Sequence, residues 1–210
     1  SNSSAASDVY KRQEIGLDPI IMGIVPDSMS SLEEVLNYSL KVCDVVLISG
    51  GSSAGPQDLV YRVLDKLGNV VVHGLRIKPG KPTIYACIDG KPVFGLPGNP
   101  ISALTILRLF IVPYIMRIAG LKHRLELVKL ISRATYPVLS APGRRTYNPS
   151  ILIRHDDSYI SIPIAHESFM IGTFSKSNSY IVIDEKVQQL LKPFSEVPTI
   201  LATNYIQIPE

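Results

Sequence analysis

The segment from Val45 to Asp58 joins a short apolar run to a loop of glycines and serines. The run Val45–Ile48 has no polar alternation, which is typical of a strand covered on both faces in a parallel sheet. Small side chains leave the N–H groups and hydroxyls of the loop accessible, and glycine readily adopts positive φ, so such a loop can close around an anion. The candidate ligand-binding residues of this first glycine loop are Ser49, Gly50, Gly51, Ser52, Ser53 and Gly55.

Asp58 follows the first glycine loop and precedes Leu59, Val63, Leu64 and Leu67 at helical spacing. This spacing predicts a helix that Asp58 caps, with the loop at its positive end, where a phosphate or an oxyanion is stabilised. An ordinary strand-to-helix turn would give the same pattern, and the loop matches neither the Walker nor the dinucleotide-binding fingerprint. The segment alone therefore leaves anion binding and a plain turn equally open.

Two later segments carry further candidate ligand-binding residues. Lys78 and Lys81 flank a Pro-Gly pair in what we call the lysine turn, residues 78–82, and their ammonium groups could neutralise phosphate. In the second glycine loop, residues 95–99, Asn99 as cap and Pro100 at the first helical position predict a helix start that faces a ligand. The candidates from this loop and the following helix are Pro97, Gly98, Asn99, Pro100 and Ser102.

Asp27 is the acidic candidate nearest the start of the chain. The apolar run Ile20–Val25 predicts a buried strand, and Pro26-Asp27-Ser28 ends it. The carboxylate is then expected at the carboxyl end of a sheet strand, where it can face a site. Aspartate is also common as a plain turn or cap residue, which is the alternative role.

Alternating strands and helices would position these candidates. Ser30–Cys43 has capping-box spacing followed by helical periodicity. A further strand, Val70–His73, follows Gly68, which is expected at the C′ position of the preceding helix. The resulting β-α-β-α-β order implies right-handed crossovers and a parallel sheet with helices on both faces.

A hairpin and a long helix complete the first predicted domain. Thr83–Ile88 and Lys91–Phe94 are expected to pair as a hairpin, because Asp89-Gly90 favours a type I′ turn. The helix after the second glycine loop is expected to weaken near Pro113 and to stop at Gly120.

From Leu121 the sequence changes to short apolar runs separated by prolines, with few helix signals. This change predicts an α/β domain at residues 1–120 and a small all-β domain at residues 121–210. The predicted strands of the second domain are Leu125–Ile131, Ile151–Arg154, Tyr159–Ile164 and Ser179–Ile183. The segment His155–Ser158 is predicted as a hairpin loop.

The composition predicts a soluble globular protein. The chain has 210 residues, of which 46% are hydrophobic, enough for one large or two modest domains. Short apolar runs and the lack of a secretory leader predict a cytoplasmic location and no membrane partner. The net charge of +3, spread over scattered lysines and arginines, gives no reason to expect nucleic acid. Cys43 and Cys87 are expected to be buried thiols, and the histidines lack metal-ligand spacing.

The three motifs together closely resemble the molybdopterin molybdotransferase family, the MoeA proteins and the gephyrin E domain. They are the first glycine loop with Asp58, the lysine turn, and the Gly-Leu-Pro-Gly-Asn-Pro-Ile-Ser-Ala sequence from Gly95. The similarity runs from Ile15 to Gly120 and more weakly through the β domain, where Ser177–Ile183 is similar to the family's late strand. The resemblance implies a three-layer, parallel-sheet domain of the molybdopterin-binding type followed by the small β domain.

The resemblance also implies an activity and a set of site residues. Members of the family are homodimeric cytoplasmic enzymes that take adenylylated molybdopterin and molybdate, with Mg²⁺, and yield molybdenum cofactor and AMP. The family's acidic positions fall on Asp27 and Asp58, which implies that both are catalytic and metal-binding residues. Ser168 corresponds to a serine that lines the same cleft from the β domain.

The chain departs from the family pattern at its start. The family's sheet normally begins with another strand and a Thr-Gly-Asp-Glu segment, and two further domains precede it; the sequence here opens instead at Ser1-Asn2-Ser3. Ser4–Gln13 fits the expected apolar helix poorly and could be foreign sequence. We therefore expect either a fragment or a chain that another segment completes.

Two other functions fit the same motifs. The adenylyltransferase that makes the substrate shares the domain fold, but its loop usually carries a Thr-Gly pair where Ser52-Ser53 stands here, and it lacks the β domain. A non-catalytic molybdopterin-binding or scaffold module is the second alternative, and ligand binding without turnover would distinguish it. The motifs do not separate molybdate from tungstate as the oxyanion.

Overall fold

The computed structural model describes residues 17–50, 56–120, 124–164, 174–187 and 191–208. These residues form two compact units. The first unit comprises the described residues up to Leu75 together with Gly80–Leu104, and the second comprises Arg76–Pro79 together with the described residues from Thr105 onward. The domain boundary at residue 120 stays a prediction.

The elements, in chain order, are α1 (Met29–Val42), β1 (Val46–Ser49), α2 (Pro56–Leu67), β2 (Asn69–His73), β3 (Ile77–Lys78), β4 (Ile84–Ile88), β5 (Lys91–Leu96), α3 (Pro100–Ile106), a π-helical segment (Leu107–Ile111), α4 (Val112–Ile118), β6 (Arg124–Ala134), β7 (Arg145–His155), β8 (Ser158–Pro163), β9 (Ser179–Ile183) and β10 (Glu196–Ile208). The fold is therefore mixed α/β, with helices and strands in the first unit and mainly strands in the second.

The first unit is built on a four-stranded sheet in the order β1-β5-β4-β2. β1 and β5 are parallel, whereas β4 is antiparallel to both β5 and β2. Three strands thus run in one direction, so the predicted parallel sheet applies to β1, β5 and β2, and β4 is antiparallel as the predicted hairpin requires. The reason is the β4–β5 hairpin: Asp89 and Gly90 have φ of 51° and 76°, which confirms the predicted type I′ turn.

The predicted buried strand Ile20–Val25 is wrong. Residues 17–26 form no strand, and Ile21 and Ile24 are 68% and 88% exposed. Within the described part of the chain, β1 hydrogen-bonds to β5 on one side and to no strand on the other. An apolar run becomes a sheet strand only where a neighbour completes its backbone hydrogen bonds, and Ile20–Val25 has no such neighbour among the described residues.

Helix α1 is fixed at both ends. Ser28, rather than the predicted Ser30, is its N-cap, because the N–H of Ser31 donates to Ser28 Oγ at 3.1 Å. At the other end, Lys91 Nζ donates to the carbonyls of Leu40 and Cys43 at 2.7 and 3.0 Å. These contacts satisfy groups that a helix terminus leaves without an intrahelical partner.

Helices α1 and α2 pack in one core with one face of the sheet. Alternate residues of β4 belong to this core, so they share a face, and a side-chain ion pair of 2.7 Å joins Lys66 of α2 to Glu33 of α1. The buried members are Leu32, Leu36, Leu40, Val60, Val63, Leu64, Ile84, Ala86, Ile88 and Val93. The predicted three-layer arrangement, with helices on both faces, is not shown within the described residues of this unit.

The long helix after the second glycine loop runs through α3, the π-helical segment and α4. The N–H of Val112 donates to the carbonyl of Leu107, five residues earlier. Pro113 has no N–H and its ring opposes a carbonyl of the preceding turn, so the wider turn accommodates it and confirms the predicted weakening there. The stretch Pro100–Ile118 is long and apolar enough to cross a membrane by length and composition alone, and half of its most apolar window is buried within the fold, as is usual for a core helix.

The second unit contains a six-stranded sheet in the order β3-β7-β8-β6-β10-β9. An additional pairing of β7 with β9 closes strands β6 to β10 into a barrel-like sheet. The four strands predicted from the sequence fall on β6, β7, β8 and β9, and the predicted hairpin loop at His155–Ser158 joins β7 to β8. The sequence reading missed β3 and the long β10.

The interior of the second unit combines an apolar cluster with hydroxyl groups. Ala134, Val138, Ile181, Ile183 and Val197 form the cluster. The buried hydroxyl of Ser132 is hydrogen-bonded to those of Ser161 and Thr199 at 2.6 and 2.7 Å, so neighbouring strands satisfy one another's polar groups.

Candidate functional site

The two glycine loops begin at the ends of adjacent parallel strands. Ser49, the last residue of β1, is paired in register with Leu96, the last residue of β5. Gly50 and Pro97 therefore leave the sheet side by side at its carboxyl edge. Ligands bind at this edge in open α/β sheets, because loops and helix starts converge there. The structure thus brings the first residues of both predicted loops together.

A small recess lies at this strand edge. Its lining residues are Ile48, Gly50, Val60, Pro82, Ile84, Gly95 and Leu96. Pro82 belongs to the lysine turn, so this turn reaches the same edge as both glycine loops. Gly95 packs closely against its neighbours, since a Cβ there would lie 3.2 Å from Cβ of Ile84 and 3.4 Å from Cγ1 of Val60. The sequence reading missed Pro82 and Gly95 as lining residues, although both lie within its quoted motifs.

The first glycine loop is described only at its beginning. Ser49 and Gly50 are exposed, and Gly50 has a φ of 127°, a conformation that favours glycine. The candidates Gly51, Ser52, Ser53 and Gly55 lie outside the described residues.

Helix α2 starts earlier than the sequence reading predicted. It begins at Pro56, which is favoured at a first helical position, so Asp58 lies in the first turn instead of capping the helix from outside. An acidic residue in a first turn is still at the positive end of the helix. The side chain of Asp58 is outside the described part.

The second glycine loop has the predicted helix start. Asn99 Oδ1 accepts a hydrogen bond from the N–H of Ser102 at 3.1 Å, and the Asn99 carbonyl accepts one from the N–H of Ala103 at 3.0 Å. Asn99 is therefore the N-cap, and Pro100 is the first helical residue, as expected. Pro97 is buried and Gly98 is exposed, so the loop presents backbone at its turn.

The lysine turn is divided between the two units. Lys81 is an exposed residue of the first unit, next to Pro82. Lys78 belongs to the second unit, where it lies in β3 and pairs with Thr146 of β7. Neither lysine has an acidic partner among the described residues.

Asp27 is an exposed turn residue directly before helix α1, where the carbonyl of Pro26 accepts the N–H of Ser28 at 2.7 Å. Because residues 20–25 form no strand, Asp27 does not follow a sheet strand as predicted, and its place in the site stays a prediction. The described part contains no group of three or more His, Cys, Asp and Glu residues that could hold a metal ion. Ser168 lies outside the described residues.

The resolved pKa shifts occur at groups with structural partners. The pKa of the Asp184 carboxyl is lowered, first by a 3.1 Å hydrogen bond from the N–H of Lys186 and also by the Arg145 guanidinium at 3.2 Å. Burial raises the pKa of the Cys43 thiol, and Asp44 raises it further. Neither group is among the candidate site residues.

Two protein families match the chain. The family described as a probable molybdopterin binding domain matches residues 1–117, which include both glycine loops and the lysine turn. The chain belongs to the MoeA and gephyrin family of molybdopterin-binding proteins. The family described as the MoeA C-terminal region, domain IV, matches residues 132–196 and so covers much of the second unit.

Relatives of the MoeA family match along most of the chain. A molybdopterin molybdenumtransferase of Haemophilus influenzae is 28% identical over 176 residues, which are 83% of this chain and 44% of the relative. A molybdopterin molybdenumtransferase of Nostoc is 33% identical over 151 residues, which are 70% of this chain and 34% of the relative. A molybdopterin biosynthesis MoeA protein of Pyrococcus horikosii has a crystal structure that matches with a TM-score of 0.78 and 36% identity, over 97% of this chain and 48% of that one. The chain therefore spans less than half the length of these relatives.

Proposed function

We propose that this chain carries the catalytic part of a molybdopterin molybdotransferase, which inserts molybdate into adenylylated molybdopterin and releases AMP. One observation carries the proposal: the two glycine loops leave adjacent parallel strands, with Ser49 opposite Leu96, and Pro82 of the lysine turn lines the recess between them. This arrangement suits a ligand that bears several phosphates, because loops that leave parallel strands and lead into helices can offer backbone N–H groups to phosphate oxygens. Membership of the MoeA family supports the identity of that ligand.

Lys81 has the clearest proposed role. Its ammonium group would pair with a phosphate of the adenylylated substrate, and Lys78 would do the same from β3. Charge-assisted hydrogen bonds of this kind are about twice as strong as neutral ones. The N–H groups of the two glycine loops and the cap at Asn99 would orient the remaining phosphate oxygens, with Ser102 close to the same helix start.

Mg²⁺ fits this proposal as an ion that protein and substrate would share. Magnesium is usually held by one or two carboxylates together with substrate phosphates, so a large all-protein cluster is not required. Asp58 in the first turn of α2 is the ligand we propose first, and Asp27 the second. When bound, the ion would neutralise charge on the phosphate that leaves with AMP.

The remaining parts of the proposal concern the whole protein. Ser168 is a further proposed substrate-binding residue, and the full-length protein would be a cytoplasmic homodimer. The residues of the chain that bind the pterin phosphates would have to exclude water from the bond between molybdopterin phosphate and AMP, since hydrolysis without molybdate would waste the substrate.

Release of AMP tests the proposal directly. Adenylylated molybdopterin is incubated with the chain and Mg²⁺, and AMP is quantified before and after molybdate is added. We expect molybdate-dependent release.

In calorimetry, Lys81→Ala and Lys78→Ala should each weaken binding of the substrate by about 1.5–3 kcal/mol, the scale of one charge-assisted hydrogen bond.

Lys192→Ala provides the matched control, since it removes an exposed lysine of the second unit that is not a candidate site residue. Tight binding without AMP release would identify a non-catalytic binding module instead. Parental affinity in both Lys78→Ala and Lys81→Ala would mean that the lysine turn is only structural.

A further inference from the structure

The side chain of Thr83 closes the turn that presents Lys81. Thr83 is 4% exposed, and its Oγ1 donates a hydrogen bond to the carbonyl of Gly80 at 2.7 Å. The N–H of Thr83 donates to the same carbonyl at 3.2 Å. Gly80 to Thr83 is therefore a β-turn whose two central residues are Lys81 and Pro82, and one acceptor receives both bonds.

The sequence of this turn does not favour the commonest β-turn. Proline at the third position is disfavoured in the commonest β-turn, because its ring drives the preceding residue, here Lys81, away from the helical region. Gly80 has a φ of 113°, a conformation that glycine adopts readily and other residues do not. Since the proline gives the turn no preference for the commonest type, the hydrogen bond from the hydroxyl of Thr83 is an additional contact that holds it.

Two further hydrogen bonds anchor the same segment to the residues after β2. The N–H of Leu75 donates to the carbonyl of Lys81 at 2.8 Å, and the N–H of Gly74 donates to that of Thr83 at 2.9 Å. The backbone of Lys81 is thus held on both sides, while its side chain is exposed and has no acidic partner in the described part of the chain. A fixed backbone limits the positions that the ammonium group can reach, and so reduces the entropy lost on binding an anion.

We infer that Thr83 is a positioning residue for Lys81: its hydroxyl holds the lysine turn in the conformation that offers the ammonium group to a phosphate-bearing ligand. The inference rests on the proposed function, because that function supplies the phosphate. If Thr83 had only a structural role, its buried hydroxyl would stabilise the fold, and its effect on ligand binding would be the same with or without Lys81. The two roles differ in whether the effect of Thr83 on binding disappears when Lys81 is removed.

A double-mutant cycle measures this dependence. The dissociation constant of adenylylated molybdopterin is determined by calorimetry for the parent chain, Thr83→Val, Lys81→Ala and the double variant. Valine keeps the shape of threonine and removes the donor. We expect Thr83→Val to weaken binding by about three- to tenfold in the parent, a range set by one hydrogen bond. In the Lys81→Ala background the same change should alter affinity by less than about twofold.

Thr83→Ser is the conservative variant, since it keeps the hydroxyl, and its affinity should stay within about twofold of the parent. Thermal melting is recorded for every variant. If Thr83→Val does not fold, Thr83→Ala replaces it in the cycle, because it removes the hydroxyl without placing a methyl group in its position.

An equal loss from Thr83→Val with and without Lys81 would overturn the inference and leave the proposed function intact. Parental affinity in Thr83→Val, beside a weakened Lys81→Ala, would also overturn the inference. A Thr83→Ser variant that binds as weakly as Thr83→Val would overturn it too. If the parent chain does not bind adenylylated molybdopterin at all, the proposed function fails and the inference fails with it.

Discussion

Asp58 and Asn99 both lie at the starts of helices. A neutral side chain is sufficient to cap a helix, whereas holding a magnesium ion calls for a negative charge. Asn99 caps its helix through an amide oxygen that accepts the N–H of Ser102. Asp58 lies in the first turn of α2, where a negative charge adds about 0.3–1 kcal/mol through the helix dipole. A carboxylate that holds magnesium, by contrast, acts through its negative charge, which an amide lacks. Replacing the carboxylate by an amide therefore separates a helix role from a metal role.

We predict that Asp58→Asn folds and binds adenylylated molybdopterin but releases AMP slowly. The loss of the helix-dipole contribution should lower the free energy of unfolding by no more than about 1 kcal/mol. The rate of AMP release on adding molybdate should fall at least about a hundredfold, on the scale of one transition-state contact worth roughly 3 kcal/mol. Asp27→Asn should show the same pattern more mildly. Rapid-quench assays at saturating Mg²⁺ measure the rates.

Asp65→Asn is the matched control, since Asp65 is an exposed aspartate on the same helix. It should release AMP at the parental rate. Near-parental release from Asp58→Asn would remove that residue from the proposed mechanism and leave it with a helix role alone.

At the scale of single elements, local chemistry was predictable and strand neighbours were not. The Asp89-Gly90 turn and the Asn99-Pro100 helix start depend on residues next to one another, and both were predicted correctly. The state of residues 20–25 depends on which strands lie alongside, which an apolar run does not encode. The long strand β10 was missed for a related reason: its pairing with β6 and β9 involves residues distant in sequence.

Gly68 was correctly expected to end helix α2, but the physical reason for a glycine at this position differs from the predicted one. The sequence reading placed it at C′ of α2, and its N–H does donate to the carbonyl of Leu64 at 3.0 Å. Its φ is not among the positive values, however. A Cβ at Gly68 would lie 2.6 Å from the carbonyl oxygen of Cys87 and 2.8 Å from Cγ1 of Ile88. Glycine is needed here because α2 ends close against β4.

We therefore predict that Gly68→Ala lowers the free energy of unfolding by about 1–3 kcal/mol, as expected for overpacking against backbone that cannot move aside. Chemical denaturation followed by circular dichroism measures the change. Gly143→Ala is the control: Gly143 has a φ of 73° and open space around the added methyl group, so only backbone strain of about 1 kcal/mol should appear. A Gly68→Ala variant as stable as the parent would show that β4 yields at this point.

At the scale of the whole chain, the two edges of the first sheet differ. The edge formed by β2 carries a register shift between Val70 and Val72, and such irregularities discourage pairing with another molecule. The edge formed by β1 has regular pairing to β5, and no strand covers its other side among the described residues. Ile20, Ile21 and Ile24 add exposed apolar surface to the same unit.

We predict that the 210-residue chain self-associates or is poorly soluble. An uncovered strand edge offers unpaired N–H and C=O groups to a second copy, and exposed isoleucines favour association further. Size-exclusion chromatography with light scattering over a range of concentrations measures the mass. Ile21→Lys combined with Ile24→Lys should shift the chain toward the monomer, because charge beside an apolar surface opposes contact. Tyr136→Lys, which changes an equally exposed apolar residue of the second unit, should not. A compact monomer at every concentration would contradict the prediction and would imply that the β1 edge is covered within the chain itself.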